Sequence, residues 1–180
     1  MSNTSEITKL ESLQFISYLE ESGSISEEFQ NKIGVYAIFN KDKVLQFVGY
    51  SRDIYLSLKQ HLIRKSEQCY WLKIQTISRP SRTILEEIRQ AWIQENGSIP
   101  LGNDTEEALW LEPIDAKTTM TEAEKQEYKE GSELEKIKAL KKVARRIEAE
   151  IQEKLKTRGV TMEIRFNPKL KEEGLLDLKS

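Results

Sequence analysis

Two short apolar runs in the first third of the chain, Ile33-Gly34-Val35-Tyr36-Ala37-Ile38-Phe39 and Val44-Leu45-Gln46-Phe47-Val48-Gly49, constrain the fold more than any other feature. Both are rich in β-branched and aromatic residues, and only the polar stretch Asn40-Lys41-Asp42-Lys43 separates them, which predicts a β-hairpin with a four-residue loop. A chain that commits here to a hairpin needs helices or further strands to cover it, and the sequence supplies both. Ile54, Leu58, His61 and Leu62 share one helical face, predicting a helix from near Asp53 to near Lys65. Tyr70 to Ile74 reads as a third strand. Pro80-Ser81 opens a second helix, whose apolar positions Ile84, Leu85, Ile88, Ala91 and Trp92 keep the helical period until Asn96-Gly97 ends it. The order β-β-α-β-α predicts an α+β fold with a small three-stranded sheet faced by helices.

Flanking segments have a different character. Ile7, Leu10, Leu13, Ile16 and Leu19 are spaced for an amphipathic helix from Ile7 to Glu21, stopped by Ser22-Gly23-Ser24. Beyond Asn103 the composition turns acidic, and two capping-box patterns follow at Thr121-Glu122-Ala123-Glu124 and Ser132-Glu133-Leu134-Glu135. The second starts the longest helix of the chain, striped by Leu134, Ile137, Leu140, Val143, Ile147, Ile151 and Leu155 and ended by Gly159. A helix of about 25 residues would be roughly 37 Å long. Its seam either folds back on the core or pairs with a second copy. Alternation over Val160 to Phe166 predicts a final strand. The organisation expected is an N-terminal helical segment (1–32), a central domain (33–112) and a helical extension (113–180).

Composition narrows the chemistry. At 180 residues, with 38% hydrophobic and 32% charged side chains, the chain can enclose one real core with polar helical additions. The single cysteine, Cys69, excludes an internal disulfide framework and any multi-thiolate metal site, which points to a reducing, cytoplasmic setting. One histidine, His61, excludes His-pair metal sites. No apolar run approaches the roughly 20 residues that span a bilayer, and MSNTSEITKLES has no signal-peptide pattern, so no membrane association is expected. The net charge of −2 is unevenly spread: from Gly34 to Asn103 there are ten Lys and Arg against six Asp and Glu, whereas residues 1–33 carry two against six. A mild positive excess is compatible with a phosphate-bearing partner and equally with an ordinary solvated surface.

Gly34-Val35-Tyr36, ten residues, Phe47-Val48-Gly49, then Ser51, Ile54 and His61, with Pro100 to Asn103 closing the segment, resemble the GIY-YIG nuclease family over about 70 residues. The strings LQFVGYSRDI and QAWIQENGSIPLGN are similar to the GIY-YIG-like N-terminal domain of the plant plastid monothiol glutaredoxins, a likeness that implies a cyanobacterial or plastid source. No glutaredoxin-type cysteine motif follows.

The resemblance implies metal-dependent cleavage of DNA or RNA with Mg²⁺ or Mn²⁺, because displacement at phosphorus develops charge that cations or fixed donors must stabilise. It places Tyr36 as the residue that positions or activates water, and His61 as an acid, a base or a phosphate donor. Phe47 stands where a second tyrosine is expected, and Ser57 where an arginine is expected. The metal-binding glutamate is expected near Arg89 to Ala91, and Glu86 and Glu87 are the acids a turn away. Arg52, just past the second tripeptide, can bring a cation to the same cleft, and Gly34, Gly49, Ser51, Lys59 and Asn103 are the candidate contacts to a nucleic-acid backbone. Two functions remain open: a divergent nuclease-like protein that binds nucleic acid with weak or altered cleavage, or a catalytically inactive module whose long C-terminal helix binds a protein partner or another copy.

Overall fold

The computed structural model describes residues 7–179. Residues 1–6, the start of the expected N-terminal segment, lie outside them. The chain divides into two compact units, the first ending at Leu111 and the second beginning at Glu112.

The first unit is the expected α+β arrangement with one strand more. β1 (Ile16–Ser17), β2 (Ile33–Phe39), β3 (Leu45–Ser51) and β4 (Trp71–Ile77) form an antiparallel sheet in the order β1-β4-β2-β3. α1 (Ile54–Arg64) follows β3, α2 (Arg82–Asn96) follows β4, and the five-residue α3 (Glu107–Leu111) ends the unit. Asp53 caps α1 by accepting from the Leu56 N–H, Ser81 caps α2 by accepting from the Ile84 N–H, and Gly97 ends α2 at φ +87°. β2 is buried on both faces, which is why it reads as a continuous apolar run rather than an alternation. Val35, Ala37 and Phe39 on one face pack with Leu85, Ile88 and Trp92 of α2. Tyr36 on the other meets His61 of α1.

The N-terminal helix expected over Ile7 to Glu21 does not form. In its place an extended strap carries a single 3₁₀ turn at Leu10–Ser12 and the two-residue β1. Backbone groups that a helix would have used internally are taken by distant side chains. Trp92 Nε1 donates to the Thr8 carbonyl at 2.8 Å, Lys73 Nζ donates to the Leu10 carbonyl at 3.0 Å, and the Glu95 carboxylate accepts from the Leu10 and Glu11 N–H groups at 2.7 and 2.8 Å. β1 makes the sheet four-stranded rather than three-stranded by pairing Ile16 with Leu72 and Ser17 with Trp71.

The second unit is built on α4 (Glu122–Glu130) and α5 (Glu133–Arg158), with β5 (Ile114–Asp115), β6 (Leu175–Leu176) and α6 (Pro168–Lys171) around them. Both capping boxes form, and Gly159 ends α5 at φ +91°. Within this unit the α5 seam is buried at Leu140, Val143, Ile147 and Leu155, while Leu134 stays 62% exposed. The final strand expected over Val160 to Phe166 is absent: only Phe166 makes a bridge, to Leu178. The alternating Val160, Met162 and Ile164 instead lie along a hollow beside α5. Among the described residues no helix is long and apolar enough to cross a membrane.

Candidate functional site

The two tripeptides lie on adjacent strands and meet at a single pair, the last residue of each. In the β2–β3 register Tyr36 opposes Gly49, Ala37 opposes Val48 and Ile38 opposes Phe47. A Cβ on Gly49 would fall 2.6 Å from Phe47 Cε2 and 2.7 Å from Tyr36 Oη, so the absent side chain is what lets the Tyr36 ring lie across the partner strand. Beneath it the rings form a box. Phe47 stacks on Trp110 of α3 at 5.0 Å with an interplanar angle of 3°, and the His61 ring sits 4.9 Å from Phe47 and 5.5 Å from Trp110.

Tyr36 Oη and His61 Nε2 share a hydrogen bond of 2.7 Å, and each residue is only 2% exposed. Burial pushes the Tyr36 hydroxyl well above its ordinary range, with a hydrogen bond to Ser57 and the charge of Arg64 pulling partly back, so it stays protonated at neutral pH. Burial, aided by Arg64, lowers His61 to about 3, with the Trp110 backbone acting the other way. His61 is therefore neutral, and among the described residues its Nδ1 has no well-aligned hydrogen-bond partner. Hydroxyls lead outward from the pair: Ser57, itself bonded to Tyr36, donates to Ser51 Oγ at 2.7 Å, and Ser51 Oγ accepts from the Asp53 N–H at 3.0 Å.

Above this floor is a hollow of about 280 Å³, whose lining includes Tyr36, Phe47 and Gly49 of the hairpin, Glu86 and Arg89 of α2, and Glu107 of α3. The carboxylate of Glu86 is saturated. It accepts from Arg89 Nε at 3.2 Å and Nη2 at 2.9 Å, from Gln90 Nε2 at 2.7 Å and from the Tyr50 hydroxyl, and the Arg89 guanidinium foremost holds its pKa below the usual carboxylate range. This donor set does not fit a divalent cation. The guanidinium covers the oxygens a metal ion would need, and among the described residues no group of three or more His, Cys, Asp or Glu side chains is placed to hold one. Glu87, the other expected ligand, is exposed and lines a second, larger hollow instead.

The remaining sequence candidates are scattered. Arg52 is exposed at the start of α1 and Lys59 half-buried on it; neither lines the hollow. Gly34 lies against β4, where a Cβ would collide with the Gln75 carbonyl and come within 2.8 Å of Thr76 Cα. Asn103 does line the hollow, but its side-chain amide is engaged with the backbone of Val48 on the sheet edge. Trp110 and Glu107 escaped the sequence reading as site residues because α3 is too short to show a period. A tryptophan standing in an acid-rich segment was the available signal.

No family model matches the chain. Over 74 residues it is 38% identical to bifunctional monothiol glutaredoxin-S16, chloroplastic, of Arabidopsis thaliana, a stretch that covers 39% of this chain and 25% of the plant protein. The chain is thus similar to part of a plant glutaredoxin-S16, and the match spans about a quarter of that protein's length.

Proposed function

We propose that the first unit is a GIY-YIG-like domain that has kept the scaffold of the nuclease family and lost its hydrolytic chemistry, and that it works as a binding module. The placement of the two tripeptides on adjacent strands with Tyr36 opposite Gly49, the helix carrying His61 and the partial likeness to the plant protein support the kinship. The observation that carries the loss of hydrolysis is the Glu86–Arg89 pair: of the two candidate metal-ligating carboxylates, the one that lines the hollow with Tyr36 already holds a cation from its own helix. Two further features point the same way. Phe47 has no hydroxyl, and a histidine with a pKa of about 3 is a poor proton acceptor at neutral pH. Losing one charge-stabilising group typically costs about 100- to 1000-fold in rate.

The second reading, a nucleic-acid-binding protein with weak Mg²⁺- or Mn²⁺-dependent cleavage, is favoured by the Tyr36–His61 contact on the floor of the hollow. Incubating the pure chain with supercoiled plasmid and either metal separates the two. The binding-module reading expects no nicking. Nicking that EDTA stops and Tyr36→Phe abolishes overturns it.

A further inference from the structure

The small hollow adjoins a larger one of about 780 Å³; Tyr50 and Glu86 line both. The larger hollow follows the outward face of α2, from Arg82 through Glu87 and Gln90 to Gln94. At 1.5 Å per residue that stretch is about 18 Å long, room for about five residues of extended chain at 3.3 Å each. The chemistry along it is uneven. Arg82 stands at one end, and Glu86 is neutralised by Arg89. That leaves Glu87 on the larger hollow and Glu107 on the smaller one as exposed carboxylates without an ion pair among the described residues. The Tyr50 ring is a partly exposed aromatic surface where the hollows meet, and Gln94 offers an amide that can pair with a peptide backbone. The unit as a whole is acidic: residues 1–111 hold twelve Lys and Arg against fifteen Asp and Glu, a balance of −3. The lining itself sets three carboxylates, Glu86, Glu87 and Glu107, against two guanidiniums, Arg82 and Arg89, which favours a cationic segment over a phosphate strand.

The geometry points to this trough as the docking groove for a basic peptide segment of a partner protein, its lysines or arginines reaching Glu87 and Glu107 and its stems lying on Tyr50. The inference rests on the binding-module reading and names its ligand class.

The test uses the full chain and a fluorescein-labelled octapeptide of alternating lysine and serine, followed by fluorescence anisotropy at low salt. Saturable binding is expected, weakened at least tenfold in the double variant Glu87→Lys/Glu107→Lys and weakened also by Tyr50→Ala. An equal charge reversal away from the trough, Glu21→Lys/Glu28→Lys, should change affinity less than twofold, which removes net charge as the explanation. All four acids are exposed, and an unchanged urea midpoint confirms that each variant is folded. Absent binding, equal loss in the two double variants, or tighter binding of an octathymidylate strand overturns the groove. Absent binding together with absent plasmid nicking overturns the groove alone and leaves the binding-module reading standing.

Discussion

The side chain of Asn103 grips the backbone of Val48 from both sides: its Oδ1 accepts from the Val48 N–H at 2.8 Å and its Nδ2 donates to the Val48 carbonyl at 2.7 Å. β3 is an outer strand of the sheet, so these two groups would otherwise face outward unpaired, and Asn103 serves as a one-residue surrogate strand. The same contact fixes the loop that leads into α3, and with it Glu107 and Trp110. Asn103→Ala should cost about 1–3 kcal/mol. Asn103→Asp should cost more, because it removes the donor and sets a carboxylate oxygen against the Val48 carbonyl. Urea midpoints of the two variants check the ranking.

Gly49→Ala tests how tightly the tyrosine is seated. The new methyl meets both Phe47 and Tyr36 rings below van der Waals distance, so at least one ring must shift out of the aromatic box. An overpacking cost of about 1–3 kcal/mol is expected, with a changed near-ultraviolet circular dichroism signal from the displaced rings. An unchanged spectrum and melting temperature would mean that the box is loose.

What was legible in the sequence is what local signals encode. Asp53, Ser81, Ser132, Gly97 and Gly159 each mark a helix end through a contact made within four residues, and each helix ends where its signal stands. The strap was illegible because Leu10, Leu13 and Ile16 have helical spacing, and the groups that extend the backbone, Lys73, Trp92 and Glu95, come from more than sixty residues away. The site divides in the same way. Tyr36 and His61 were flagged by tripeptide and helix spacing, whereas the closure of Glu86 by Arg89 is an i, i+3 contact whose meaning depends on where the hollow lies. α3 has no period to read.

The strap should come away in pieces that its anchors predict. Glu95→Ala leaves the Leu10 and Glu11 N–H groups without their acceptor, and the amides at those two positions should exchange with deuterium faster while β2 amides do not change. Trp92→Phe removes the donor to the Thr8 carbonyl and, because the indole is fully buried, also leaves a gap in the core, so its stability loss should exceed that of one hydrogen bond, about 0.5–1.5 kcal/mol. Mass spectrometry of strap peptides after timed exchange reads both effects.

The buried histidine gives the first unit a pH dependence whose sign is fixed. Folding lowers the His61 pKa from an ordinary 6.5 to about 3, so between those values the unfolded chain binds a proton that the folded chain does not. The contribution of the neutral, buried imidazole is fully present above pH 6.5 and drains away as pH falls towards 3, at most about 1.4 kcal/mol per pH unit within the window. Carboxylates such as Glu86, held low by their partners, add their own losses only below pH 4.5. The interval from pH 6.5 to 5 therefore isolates the imidazole. His61→Phe keeps an aromatic ring in the box beside Phe47 and Trp110 and has nothing to protonate. Urea unfolding across that interval should show the native chain losing stability with falling pH and the variant holding level. Equal slopes for the two proteins would mean that His61 takes up its proton in the folded state and that the aromatic box admits water.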